Sequence, residues 1–215
     1  MDFKERYLTR LNNTVSNLDK SKYGLSMKFE SSPSYKLVKV NGIDTDSIVY
    51  TDSQYDEKTI IFKPDSIVDI GSVVEFNEKQ YLLISFFESD LTPKGELKLC
   101  NSTLPIQSGK TRVLIGHDRD GRPVYKDMYS VDKMEPCIAE TRIQSSSGNE
   151  QLPLPDGHLK ITLKYQEADN IQPNKQFSMY GNTFKITDVD LTKVINGKGI
   201  MIVSAERIPE GVVKA

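Results

Sequence analysis

The chain has 215 residues, enough for one large domain or two small ones, each with its own core. Its 28 basic and 30 acidic side chains nearly cancel, so no global field draws it to a polyanion or an anionic membrane. No apolar run approaches the roughly 20 residues that span a bilayer, and the charged opening lacks the apolar stretch of a secretory signal, so the expected setting is a cytoplasm or something assembled there.

Residues 2 to about 20 carry a helical period. Phe3, Tyr7, Leu8, Leu11, Val15 and Leu18 recur at spacings of three and four, with Lys4, Glu5, Arg6, Arg10, Asn12 and Asp19 on the other side. Such a stripe must cover something: either its own β module or a neighbouring subunit. Phe3, Tyr7, Leu11 and Val15 are the candidate partner interface. From Asp19 to Ser34 the composition shifts to linker residues, with Leu25, Met27 and Phe29 alternating as a short strand would. Residues 1–34 are thus expected to be a helix and a linker.

A first β module is expected over residues 35–144. Tyr35–Val40 and Ile43–Tyr50 flank Asn41-Gly42, a strong hairpin signal. A strand ending at Lys63 is closed by Pro64. Val73–Phe76, a polar turn, and the apolar run Gln80–Phe87 follow, and that run predicts a strand with both faces covered. Glu96–Cys100 pairs back after Pro93-Lys94-Gly95. Arg112–Ile115 and Val124–Met128 then flank a long polar tip from Gly116 to Pro123, and Glu135–Ile143 closes the module.

Residues 145–157, rich in Ser, Gly and Pro, predict a linker or a projecting loop. A second module is expected over 158–215. It contains a blurred copy of the first: Val74-x-Phe76 and Tyr81-x-Leu83 are spaced like Phe177-x-Met179 and Phe184-x-Ile186. The expected fold class is mainly β, an N-terminal amphipathic helix followed by two small antiparallel barrel-like or sandwich-like modules.

The chemical motifs fail one by one. Ser108-Gly109-Lys110-Thr111 ends like a phosphate-binding loop, but Leu104 stands where the first glycine belongs and a strand follows instead of a helix. Asp118-x-Asp120-Gly121 suits a hairpin turn better than a calcium loop, since Arg122 follows the glycine and the twelfth position lacks an acid. His117 and His158 have no partner at metal-ligand spacing, and no serine or cysteine sits in a nucleophile-elbow context. Cys100 and Cys137 are too few for a zinc ribbon and lie in apolar, strand-like surroundings, where cysteine behaves as a small hydrophobe. The Asn-x-Thr tripeptides at Asn12 and Asn101 are chance matches without secretion. A barrel gripping single-stranded nucleic acid is an alternative, but Phe76, Tyr81, Phe86, Phe87, Phe177 and Phe184 sit at core positions and no Lys/Arg-rich face accompanies them. No enzyme activity, cofactor or metal is expected.

The run Gly71–Phe76, then Tyr81–Ile84, Cys100-Asn101-Ser102-Thr103-Leu104, Gly121 ahead of Val124-Tyr125, and Pro136-Cys137-Ile138 resembles the small head–tail connector (head-closure, or neck) proteins of tailed phages and prophages of Gram-positive bacteria. The opening Glu5-Arg6-Tyr7-Leu8 and the later Pro173, Phe177 and Phe184-Lys185-Ile186-Thr187-Asp188 are similar to that group as well. One departure is that Pro105-Ile106 stands where those proteins often carry Lys-Trp, and this chain has no tryptophan. The resemblance implies a ring-forming virion protein in the neck, made in the host cytoplasm, whose partners are itself, a portal or adaptor protein and tail proteins, with packaged DNA nearby and no membrane. Another tail or baseplate role is the alternative within the virion. The projecting tips expected to reach the next ring or plug the channel are Arg119, Asp120, Gly121 and Arg122, and the loop containing Ser146 and Gly148.

Overall fold

A computed structural model describes residues 3–51, 55–107, 110–117, 119–129, 133–144, 151–153 and 157–208. The chain divides into two compact units, Met1–Leu99 and Cys100–Ala215.

The first unit begins with α1 (Phe3–Phe29). The helix runs nine residues beyond the expected end near 20, replacing both the predicted linker and the short strand at Leu25–Phe29. No proline interrupts the chain before Pro33, and Gly24 alone does not stop a helix. The polar residues after Asp19 are its solvent side, while Leu18, Lys22 and Leu25 are half-buried and Phe29 is buried, a helical spacing. The helix ends where Ser31 bonds back to the Lys28 carbonyl through both its amide (3.2 Å) and its hydroxyl (2.7 Å).

Six strands follow: β1 (Tyr35–Val40), β2 (Ile43–Thr51), β3 (Glu57–Phe62), β4 (Val73–Phe76), β5 (Lys79–Phe87) and β6 (Lys94–Leu99). They form a closed antiparallel barrel in the order β1-β2-β3-β6-β5-β4, shut by Lys39↔Glu75 and Val40↔Val74. The β1–β2 turn is the expected Asn41-Gly42, with φ of 49° and 85°; left-handed φ at both central residues is the primed turn that matches strand twist. Val38, Val40, Val49, Ile60, Phe62, Val74, Phe76, Tyr81, Leu83 and Leu97 fill the interior. The run in β5 is covered only in part. Tyr81, Leu82 and Leu83 are buried, but a bulge between Leu83 and Ser85 turns the strand, and Phe87 is 65% exposed.

The second unit holds β7 (Ser102–Ile106), β8 (Lys110–His117), β9 (Pro123–Tyr129), β10 (Lys133–Glu140), β11 (Arg142–Gln144), β12 (Gln151–Pro153), β13 (His158–Lys164), β14 (Gln176–Met179), β15 (Asn182–Asp190), β16 (Val194–Ile195) and β17 (Lys198–Arg207). Its main sheet has the order β14-β15-β17-β13-β10-β7, with β16 on β17. This corrects the expected division at residue 144. β10 pairs with β13 (Cys137↔Leu163 to Glu140↔Lys160) and β7 with β10, so Leu104, Ile106 and Cys137 enter the second core with Ile161, Leu163, Phe177, Phe184, Ile186 and Val203. The stretch 145–157 therefore joins strands of one unit, and its described part, β12, pairs with β11 as a hairpin.

Asparagine side chains complete the ladder at the β7 edge. Asn101 donates through Nδ2 to the Ala139 carbonyl (2.9 Å) and accepts from the Ala139 amide at Oδ1 (2.8 Å). On the outer side of β7, Asn170 donates to the Pro105 carbonyl (2.7 Å) and accepts from the Gln107 amide (2.9 Å), while the Asp169 amide donates to the Gln107 carbonyl (2.8 Å). With Ile171 buried beside them, the loop ahead of β14 covers an edge that would otherwise be open, so the sheet curls into a nearly closed barrel.

Candidate functional site

One register runs through both the β7–β10 and the β8–β9 ladders. Ile106 pairs with Lys133, and four residues further along each strand Lys110 pairs with Tyr129. β8 and β9 form a two-stranded ribbon of their own, about 25 Å long. Among the described residues no third strand pairs with either.

Cross-strand partners share a face, so Leu114 and Tyr125 point one way and Val113 the other. Both faces are bare: Leu114 is 48% and Tyr125 51% exposed, and Val113, Ile115 and Val124 are exposed too. A bulge between Leu114 and Gly116 leaves Ile115 as the extra residue and re-aims the end of the ribbon. The Arg112 guanidinium lies 5.7 Å from the centroid of the Tyr125 ring, a cation–π contact worth about 0.5–1 kcal/mol at an exposed site. That does not replace a core: a two-stranded hairpin is marginal alone in water. Contiguous exposed apolar side chains of this kind are a feature of interaction surfaces.

At the far end His117 pairs with Pro123, and the predicted tip residues Arg119, Asp120, Gly121 and Arg122 are all exposed. Gly121 takes φ of 77°, as a turn there requires. Ser146 and Gly148, the other predicted tip, lie outside the described residues. The sequence located this hairpin but not its apolar flanks as a surface, because a run such as Arg112–Ile115 reads the same whether its faces are covered or bare.

The second bare surface is the start of α1. Positions 3, 7, 11, 15, 18, 22, 25 and 29 form one continuous stripe. Its later part rests on the unit's own strands, with Phe29 buried and Lys22 Nζ 2.6 Å from Asp65 Oδ1. Its beginning does not: Phe3 is 84% and Tyr7 59% exposed, and residues 4–6 and 8 are exposed around them. The side chains of Leu11 and Val15 are outside the described set.

The groups that tempted a catalytic reading do not converge. His117 is exposed at the ribbon's end and His158 opens β13 opposite Glu206. Burial pushes the Cys100 and Cys137 thiols up to about 12; Cys137 and Glu135 add to it at Cys100, while at Cys137 a hydrogen bond with Ser102 works against it and Glu135 adds to it. Such thiols are protonated at neutral pH and poor nucleophiles. Among the described residues no three His, Cys, Asp or Glu side chains are placed to hold a metal ion, and no helix is long and apolar enough to cross a membrane.

Most of the second unit, ribbon included, is similar to a domain described in another protein. Residues 102–206 match the family model of the YomX C-terminal domain. The matched span opens on the first residue of β7 and closes within β17, which agrees with the division of the chain after Leu99. The whole chain is also similar to the SPbeta prophage-derived uncharacterized protein YomX of Bacillus subtilis (strain 168), 25% identical over 217 residues, covering 97% of this chain and 98% of YomX. The likeness to YomX thus extends over the first barrel and α1 as well. No solved structure matches the chain significantly.

Proposed function

We propose that this chain is a non-enzymatic structural protein of a tailed-phage particle, a ring-forming head–tail connector that joins the portal to the tail. The observation that carries the reading is the β8–β9 ribbon, a two-stranded sheet with apolar side chains exposed on both faces. Such a ribbon needs neighbours on two sides, and in a ring every subunit has two, each contacted through a different surface. Its free edges add main-chain pairing to the side-chain contacts. The similarity to a prophage-derived protein over nearly the whole chain supports a phage setting, and the resemblance of its motifs to connector proteins supports the neck within it.

The portal or adaptor protein above and tail proteins below are the partners this reading requires, with the tip at Arg119–Arg122 reaching toward the next ring. Electron microscopy of particles carrying a tagged copy of the chain tests it. Label at the neck, and a closed ring when the purified protein is imaged with a portal, is the expected result. Label at the tail tip would move the chain to a baseplate role, and a salt-sensitive shift of a labelled oligonucleotide without particle label would favour a nucleic-acid module.

A further inference from the structure

The first unit segregates its charge. Residues 3–29 carry six basic side chains (Lys4, Arg6, Arg10, Lys20, Lys22, Lys28) against two acidic ones (Glu5, Asp19), a net of +4, whereas residues 30–99 carry thirteen acidic against seven basic, a net of −6. The later half of α1 already uses this asymmetry, setting Lys22 on Asp65 beside buried Phe29. The first turns repeat the same surface, an apolar stripe at exposed Phe3 and Tyr7 flanked by exposed Lys4 and Arg6.

A matching depression lies on the barrel. Where the β5 bulge crosses β6, Phe86, Phe87, Lys94, Gly95 and Glu96 line a recess of about 310 Å³. Phe87 stands at its side largely exposed, and Gly95 lends only backbone to the lining, since a Cβ there would run into the Ser85 carbonyl and Leu83. From 85 to 96 the acids Glu88, Asp90 and Glu96 outnumber the single base Lys94. An aromatic-walled recess with Glu96 beside Lys94 in its lining, and Glu88 and Asp90 on the loop that follows β5, fits an aromatic side chain flanked by cations.

We infer that the first turns of α1 dock on the barrel of a second copy of this chain, seating Phe3 or Tyr7 in the recess beside Gly95 with Lys4 and Arg6 against Glu88 and Glu96. The inference deepens the ring reading by naming one contact between copies, head to tail, in which each subunit gives a helix and receives one. Electrostatic complementarity sets the register, and the ring supplies the contact energy.

Cysteine cross-linking in mixtures of full-length chains tests it. Chains carrying Tyr7→Cys are mixed with chains carrying Phe87→Cys under mild oxidation, the unmodified chain controlling for Cys100 and Cys137. The expected result is a disulfide-linked dimer in the mixture, about tenfold above either variant alone. Adding Lys4→Glu and Arg6→Glu to the first partner should lower that yield about tenfold, and adding Glu88→Lys and Glu96→Lys to the second should restore it. No dimer above the controls, or a yield indifferent to charge reversal, overturns the inference. All the substituted positions are exposed, and circular dichroism of each variant checks that it folds. The chain could cross-link this way and be absent from the neck, or sit in the neck without cross-linking, so the two readings fail separately.

Discussion

Phe177 faces Phe184 across the β14–β15 ladder, their rings stacked with centroids 5.7 Å apart. Val74 faces Tyr81 in the same way across β4–β5, so the repeat seen in the sequence is one hairpin plan used once in each unit. Both hairpins close on two residues with left-handed φ, Asn77-Glu78 (50° and 61°) in the first and Tyr180-Gly181 (52° and 74°) in the second. Glu78 and Tyr180 both fit such a turn poorly, since only Gly, and less readily Asn or Asp, adopts that φ at little cost. Glu78→Gly should therefore stabilise the protein by about 0.5–1 kcal/mol, read as a higher urea midpoint at unchanged slope. An unchanged or lower midpoint would mean that the turn is not strained.

Gly95 should tolerate no side chain. A Cβ there would lie 2.5 Å from the Ser85 carbonyl oxygen and 2.6 Å from Leu83 Cδ1, so the β5 bulge or the core would have to move. Gly95→Ala is expected to cost about 1–3 kcal/mol, as overpacking of a tight site does. Gly24→Ala, with open space around the added carbon, should instead stabilise α1 by up to about 1 kcal/mol. Equal effects at the two positions in denaturant titrations would refute the packing argument.

Asp46 ties β1 and β2 to the chain beyond β3. Tyr35 Oη donates to its Oδ1 (2.7 Å) and Lys63 Nζ to its Oδ2 (3.0 Å), and these two bonds, Tyr35 first, hold its carboxyl below the usual carboxylate range. Its contribution to stability is fully present above the unfolded value of about 3.9 and is lost as pH falls through the lower folded value. Asp46→Asn should flatten that acid-side loss while lowering stability at pH 7, and matched melts at pH 7 and pH 3 would check it.

The two thiols make the opposite prediction. Their folded values near 12 stand above the roughly 8.5 of an unfolded cysteine, so the stability they contribute is intact below about pH 8.5 and declines as pH rises toward 12. At pH 8 the native protein should resist iodoacetamide at Cys137, which is fully buried, and react fully only in denaturant. Rapid native alkylation at Cys137 would contradict the packing of β10 on β13.

Local chemistry was legible in the sequence: the Asn41-Gly42 turn, the period of Phe3 to Leu18 and the repeated hairpin each depend on residues a few positions apart. What escaped depends on distant pairing. Leu104 and Cys137 look like residues of the nearer module, and only the pairing of β10 with β13 sends them into the second core. The end of α1 was misplaced because Ser, Lys and Asn are as common on the wet side of a helix as in a linker, and only the burial of Phe29 distinguishes the two. Asn101 reads in the sequence as part of a motif, but its work, bonding both the amide and the carbonyl of Ala139, is invisible until the strands are aligned. The ribbon is legible as a hairpin, yet no local pattern says that its apolar side chains stay exposed.

The central claim is that the bare side chains of β8 and β9 serve contacts with other chains rather than the fold, and Leu114→Asp with Tyr125→Asp tests it most directly. Both side chains are about half exposed, so melting should shift by no more than about 1–2 kcal/mol equivalent, the lost Arg112–Tyr125 contact and the two facing carboxylates included. When this double variant replaces the natural chain during particle assembly, micrographs are expected to show filled heads and free tails left unjoined. Joined, infectious particles at the natural yield, or a variant that unfolds, would contradict the account.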